Sequence, residues 1–326
     1  MPATVTTTAG RMELPAVYIS GIAHRCGDWL PIEEAPGLER DTETVEFLKN
    51  LGIRRYSSLA TPLPELAERC IPETLERAAC RPSAVDVTIF WSTTYATYRQ
   101  HSQVPMALAA LSLGDAVPYG VFHNQCTNHS QALLLAQMLC ATGQASRVLV
   151  FGYDALDEQR VSRVLDNRTS VYSDAFVSFV VSTDAPLGGF RVDGIRHRHC
   201  PSILQEQGPA RALQFITKYS QTFQQACRCL YADLDLRPDD FAWLITANYN
   251  RSVIRNLADL AGIPATRLFV DNVSRYAHCF AADHLIALET LEEAQTLDAG
   301  QRFLLPAVGG FFVFSAVALT RVDSTG

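Results

Sequence analysis

Apolar residues recur along this chain with two periods, every second residue in short runs and every third or fourth in longer ones. Buried strands and helices should therefore follow one another from end to end. Val17 to Ala23 reads as an opening strand, and Ser83 to Trp91 as a loop entering a second. An apolar helical pattern covers Ser130 to Cys140, while Arg147 to Gly152 (RVLVFG) and Ala175 to Ser182 (AFVSFVVS) have the continuous apolar character of strands covered on both faces. Pro186-Leu187-Gly188-Gly189 breaks the pattern. Beyond it the spacing predicts a helix over Pro209 to Tyr231, a strand over Phe241 to Thr246, a helix over Ser252 to Ala261, a strand over Arg267 to Asp271 and a helix over His284 to Gln295. The chain closes on an apolar stretch from Phe303 to Thr320, interrupted by Gly309-Gly310. An α/β architecture follows, with helices covering parallel-rich sheets. A flexible tail over residues 1–13 would precede an N-terminal half over 14–186 and a C-terminal half over 187–322.

With 326 residues, 48% of them hydrophobic and 19% charged, the chain has ample material for a large core. The formal net charge of -7 argues against a nucleic-acid partner, which needs clustered Lys and Arg. No apolar run reaches the length of about 18 residues expected of a transmembrane helix, so a cytoplasmic protein without a membrane partner is expected. Nine cysteines without metal-ligand spacing suit a reducing compartment. Cys227-x-Cys229 lies in a helical pattern, and His197-Arg198-His199 lacks a carboxylate or thiol at ligand spacing, so no metal is expected. No phosphate loop or dinucleotide fingerprint is present either.

One thiol stands out. Gln125-Cys126-Thr127-Asn128-His129 opens the apolar helix, which places Cys126 where unpaired backbone N–H groups and the helix dipole favour a thiolate. The dipole supplies about 0.3–2 kcal/mol, too little to activate a thiol alone. A base is needed from elsewhere in the chain.

Around this cysteine the sequence resembles the type III ketoacyl-acyl carrier protein synthases of the thiolase-like fold. Gly52-Ile53-Arg54-Arg55 is similar to that family's Gly-Ile-Arg-x-Arg segment, and Trp91-Ser92-Thr93-Thr94 with Gln103-Val104-Pro105 to its Thr-x-Thr…Pro-Ser-x-Ala region. Ser170 to Val180 resembles the stretch built on Gly-Asp-Gly-Ala-Gly-Ala, and Ala307 to Phe311 falls on the glycine-rich C-terminal loop. The resemblance implies two pseudo-duplicated βαβαβ halves in a five-layered αβαβα body, a homodimer, and acyl groups carried on Cys126. It also implies an oxyanion hole made by the backbone of Cys126 with Gly309 or Gly310. No tightly bound cofactor is implied, only a phosphopantetheine thioester of an acyl carrier protein or of coenzyme A.

Three departures redirect that expectation. Carbon–carbon bond-forming members pair the cysteine with a histidine and an asparagine, but here Ala247 stands at the histidine and His278 at the asparagine. Those two side chains jointly hold the enolate oxygen after decarboxylation, and losing one such donor costs about 10²–10³ in rate. Asp283 then completes a Cys126-His278-Asp283 triad resembling a divergent branch, the starter-unit acyltransferases of polyketide pathways, although Asp283 would serve equally well as a helix cap. Finally, Glu46 and Asn50 occupy the places of the tryptophan and arginine that hold coenzyme A, which favours a carrier protein as donor. Arg251 and Arg255 would meet that acidic partner.

The remaining candidates are His129, as an alternative base, and Asn248 and Asn250, as a polar pocket wall, with Asn250 equally readable as structural. Phe176 and Phe280 are bulky residues that would shorten the acyl tunnel. The expected function is transfer of an acyl group from a carrier thioester through Cys126 to a small heteroatom acceptor, in antibiotic-type polyketide metabolism. Carbon–carbon bond formation and a non-catalytic subunit of a heterodimer remain as alternatives.

Overall fold

The computed structural model describes residues 15–94, 98–157, 162–165, 168–205, 211–294 and 297–323. The expected tail, and the expected helix ends at Pro209 and Gln295, lie outside the described residues. The first half contains β1 (Tyr18–Cys26), β2 (Asp28–Pro31), α1 (Thr42–Asn50), β3 (Arg55–Ser58), α2 (Leu63–Arg77), β4 (Val87–Trp91), α3 (Tyr98–Ala110), β5 (Val117–Val121), α4 (Asn128–Ala141), β6 (Arg147–Asp154) and β7 (Ala175–Ser182). The second contains β8 (Phe190–His199), α5 (Arg211–Leu234), β9 (Trp243–Leu244), α6 (Arg251–Ala261), α7 (Val273–Tyr276), α8 (Asp283–Ala294), β10 (Arg302–Val308) and β11 (Val313–Arg321).

Nine strands run in the order β5-β4-β6-β7-β1-β8-β11-β10-β9. The two halves of this sheet meet where Tyr18 and Ile19 of β1 pair with Arg191 and Phe190 of β8. Alternation within single strands builds the layers. Val148 and Val150 of β6 face a central core shared with α4 and α8, whereas Leu149 and Phe151 face an outer core with α2 and α3. In β10, Phe303 and Leu305 point to the central core, and Leu304 points to the opposite outer core beneath α5 and α6. The result is the five-layered αβαβα arrangement. Helices α4 and α8 are sandwiched between sheet surfaces, which explains why apolar residues surround them rather than forming one stripe.

The expectation of parallel-rich sheets needs correction. Parallel pairing joins β4 to β5 and β6, and β9 to β10, but β7, β1, β8 and β11 run antiparallel to their neighbours. The reason in the second half is the tight reversal at Gly309-Gly310, which folds one apolar stretch into a β10–β11 hairpin. The strand expected over Arg267 to Asp271 is reduced to a single bridge between Leu268 and Leu244, because the chain turns at once, with Val273 N donating to Val270 O. The strand expected over Phe241 to Thr246 pairs only at Trp243 and Leu244.

Gly152 shows how closely these layers fit. It sits opposite Trp91 in the β4–β6 register, and a Cβ there would lie 2.1 Å from the fully buried indole. Gly152→Ala should therefore lower stability by about 1–3 kcal/mol, the usual cost of overpacking. Urea denaturation measures it, and an unchanged midpoint would mean that Trp91 is free to move.

Candidate active site

Cys126 lies in a single 3₁₀ turn, Gln125–Thr127, that leads from β5 into α4. The turn is held on both sides. Asn128 Oδ1 accepts from Asn124 N (3.1 Å) and its Nδ2 donates to Ser92 O at the end of β4 (3.1 Å). Thr127 Oγ1 donates to Asn124 O (2.8 Å). Gln125 adopts φ 49°, a left-handed conformation that costs a non-glycine residue about 1–3 kcal/mol. That strain turns the backbone so that Cys126 faces a cavity of about 810 Å³.

The second half delivers the imidazole. His278 lies on the loop between α7 and α8, with Ala277 (φ 47°) and Phe280 (φ 53°) left-handed on either side. The main chain of His278 is clamped as a strand would be, its N donating to Val171 O (2.9 Å) and its O accepting from Ser173 N (2.8 Å). The clamping segment is itself fixed by a buried bidentate pair, Arg163 with Asp174 (2.9 and 3.0 Å). As a result His278 Nε2 lies 3.3 Å from Cys126 Sγ, and His278 Nδ1 lies 2.5 Å from Asp283 Oδ2.

Asp283 begins α8, yet its carboxylate is directed at the loop. Oδ1 accepts from Cys279 N and Asn248 Nδ2, and Oδ2 accepts from Asn248 N, each at 2.8 Å. All three triad side chains are buried, Cys126 being 8% exposed, and Cys126 and His278 both line the cavity while Asp283 lies behind them. Burial works against a charged His278, but the facing charges of Cys126 and Asp283, and hydrogen bonds to both, outweigh it and raise the ring to about 10. The ring therefore holds a proton at neutral pH.

Other expected site residues fall differently. His129 is buried behind the nucleophile and stacked on His284 at 4.5 Å; burial holds it well below 6.5, so it is neutral and faces the core rather than the sulfur. Asn250 is the N-cap of α6, accepting from Ser252 N and Val253 N (3.1 Å each), and it does not line the cavity. Asn248 does not line the cavity either; its main-chain N and side-chain Nδ2 both donate to Asp283. Phe176 packs into the outer core of the first half against Phe151, on the wrong face of β7 to narrow a tunnel. Phe280 also stays outside the cavity lining and stacks on Tyr172 at 4.5 Å, backing the wall. Arg251 and Arg255 are exposed at the start of α6, each two residues from the cavity residue Val253, and neither lines the cavity.

Gly309 and Gly310 both border the cavity, but Gly309 N donates to Val313 O (2.8 Å) and is committed to the hairpin turn. A Cβ on Gly309 would lie 2.2 Å from the main-chain Asn124 O, so only glycine permits this approach to the cysteine turn, whereas one on Gly310 would meet only the movable Gln125 side chain. Reading the sequence missed Tyr172, Tyr219 and Tyr249, which ring the cavity, and Arg211 at its rim. Tyr219 lies in an amphipathic helix, where a tyrosine carries no signal of its own. Tyr249, two residues beyond Ala247, was the one that position could have flagged.

The five-layered fold defines a class, the proteins of the thiolase-like fold. Residues 231–321 match the C-terminal domain of 3-oxoacyl-[acyl-carrier-protein] synthase III. The chain is 28% identical over 301 residues to the β-ketoacyl-[acyl-carrier-protein] synthase III of Rhizorhabdus wittichii, covering 86% of this chain and 91% of that one. It is 26% identical over 306 residues to synthase III 3 of Streptomyces coelicolor, covering 87% and 90%. Among solved structures, ChlB3, described as an acyltransferase, superposes with a TM-score of 0.82 at 16% identity over 95% of this chain and 99% of that one. The synthase III of Aquifex aeolicus superposes with 0.76 at 21% identity over 93% and 99%. This chain is a ketoacyl synthase III-like protein with the thiolase-like fold.

Two rings, His24 beside Glu289 and His278, are raised to about 10, while burial lowers His197 to about 4 and also depresses His129 and His284. Histidine ¹⁵N NMR should accordingly show two imidazoles protonated through pH 8, and Cys126→Ala should lower only one of them. Titration of every ring near the ordinary value would contradict this electrostatic picture.

Proposed function

We propose that this protein is an acyltransferase that loads an acyl group onto Cys126 and passes it to an oxygen, nitrogen or sulfur acceptor without decarboxylation. The observation that carries the reading is the continuous contact from Cys126 Sγ to His278 Nε2 and from His278 Nδ1 to Asp283 Oδ2, at 3.3 and 2.5 Å. In the first step the thiolate attacks the thioester carbonyl, a carbon–sulfur bond forms, and the oxyanion is met by the N–H groups of Cys126 and Gly310. Collapse expels the donor thiolate, which takes the proton from His278. Acylation removes the negative charge that helped raise His278, so burial now favours the neutral ring. Oriented by Asp283, it accepts the proton of the acceptor as that group attacks, and Cys126 leaves again as a thiolate.

Decarboxylative condensation is disfavoured because Ala247 stands where its relatives' histidine would be expected and is packed into the outer core beneath α5 and α6, away from the cavity. The donor is a phosphopantetheine thioester on an acyl carrier protein, and coenzyme A is the alternative. Arg211 at the cavity rim, with exposed Arg251 and Arg255 on α6, supplies the charge an acidic carrier needs. Nine free cysteines accord with a cytoplasmic setting, and the displaced histidine supports a place in polyketide-type biosynthesis. No described helix is long and apolar enough to cross a membrane, and no group of metal-ligating side chains occurs among the described residues.

Incubation with acyl-carrier thioesters should give an acyl adduct on Cys126 by intact mass, absent in Cys126→Ala. His278→Asn should slow its formation by about 10²–10⁴, the range for general acid–base groups. A malonyl carrier that yields carbon dioxide and a lengthened ketone would instead favour condensation.

We further propose a homodimer formed through β5, an edge strand whose Val117 and Tyr119 are exposed. Tyr119→Lys should shift the mass seen by light scattering from dimer to monomer; an unaltered dimer would place the interface elsewhere.

A further inference from the structure

Resting on the acyltransferase reading, we propose that Tyr219 and Tyr249 select an acyl group bearing an oxygen function close to its thioester carbonyl, a hydroxyl, ketone or carboxylate, over a plain saturated chain. Both phenols line the same cavity as Cys126 and His278. Their rings are immobilised: Tyr219 packs edge-on against fully buried Phe314 at 5.2 Å, and Tyr249 lies 5.2 Å from the His278 ring. Their hydroxyls have no hydrogen-bond partner among the described residues, yet neither is among the sealed-off polar atoms of the core. They therefore open to the cavity. Burial raises both phenols above their ordinary value, and the facing charge of Cys126 raises them further, so each stays a protonated donor across the working pH range.

Two fixed donors beside the reacting carbonyl discriminate sharply. A saturated chain would desolvate both hydroxyls and leave them unpaired, whereas an oxygen-bearing chain satisfies them. Sites built to hydrogen-bond a substrate oxygen reject analogues lacking it far more strongly than apolar pockets reject a missing methylene. The apolar wall, with Leu165, Phe215 and Phe312, accommodates the rest of the chain.

The test compares 3-hydroxybutyryl and butyryl pantetheine thioesters as donors for acylation of Cys126, and the matching non-transferable amides as ligands for Cys126→Ala by calorimetry. The proposal expects the hydroxylated member to be favoured by about tenfold or more in both assays. It also expects Tyr219→Phe and Tyr249→Phe each to reduce that ratio and the double variant to bring it close to one. Equal use of both chains, or a ratio unmoved by the double variant, overturns it. Selective amide binding without any adduct on Cys126 would sustain the selection and reject the acyltransferase reading, so the two failures are distinct.

Discussion

The contact between Cys126 Sγ and His278 Nε2 is the constraint around which both halves of the molecule are arranged, because it joins residues 152 positions apart. Neither partner reaches it by default. The thiol is aimed by a strained turn tied to β4, and the ring by a loop with two left-handed residues clamped to the segment before β7. Each such conformation costs about 1–3 kcal/mol and persists only where its surroundings over-determine it. Those surroundings are visible: Asn128 on one side, the Arg163–Asp174 pair and four hydrogen bonds to the Asp283 carboxylate on the other.

The electrostatics follow from the same placement. A buried imidazole on its own would be neutral, as His129 and His284 are. His278 differs because Cys126 and Asp283 address its two nitrogens, and interaction with both raises the ring against burial. In the proposed reaction, proton affinity would thus be coupled to the occupancy of the nucleophile, and one ring would serve first as acid and then as base.

Much of this was legible in the sequence, for identifiable reasons. The continuous apolar runs of β6 and β7 made their position and type readable, and Gly309-Gly310 marked the break that separates β10 from β11. The second half was harder where burial comes from tertiary contacts: Arg267 to Asp271 has strand composition but meets only Leu244 before turning away. Site residues fixed by motif position, Cys126, His278, Asp283 and the glycine pair, come together at one cavity edge or directly behind it. Residues judged by type alone did not, because the face of β7 decides where Phe176 points and the end of α6 decides what Asn250 binds. Tyr172 and Tyr219 were invisible for the same reason: nothing local distinguishes a phenol turned inward from one turned out.

The central claim is that thiol and imidazole act as one unit, and a double-mutant cycle on the acylation rate tests it directly. Cys126→Ser, His278→Asn and the double variant would be compared with the parent protein by intact-mass kinetics. The account predicts strong non-additivity, the double variant being little slower than the worse single one. Additive losses would mean that His278 serves the reaction, or the fold, independently of the sulfur it faces.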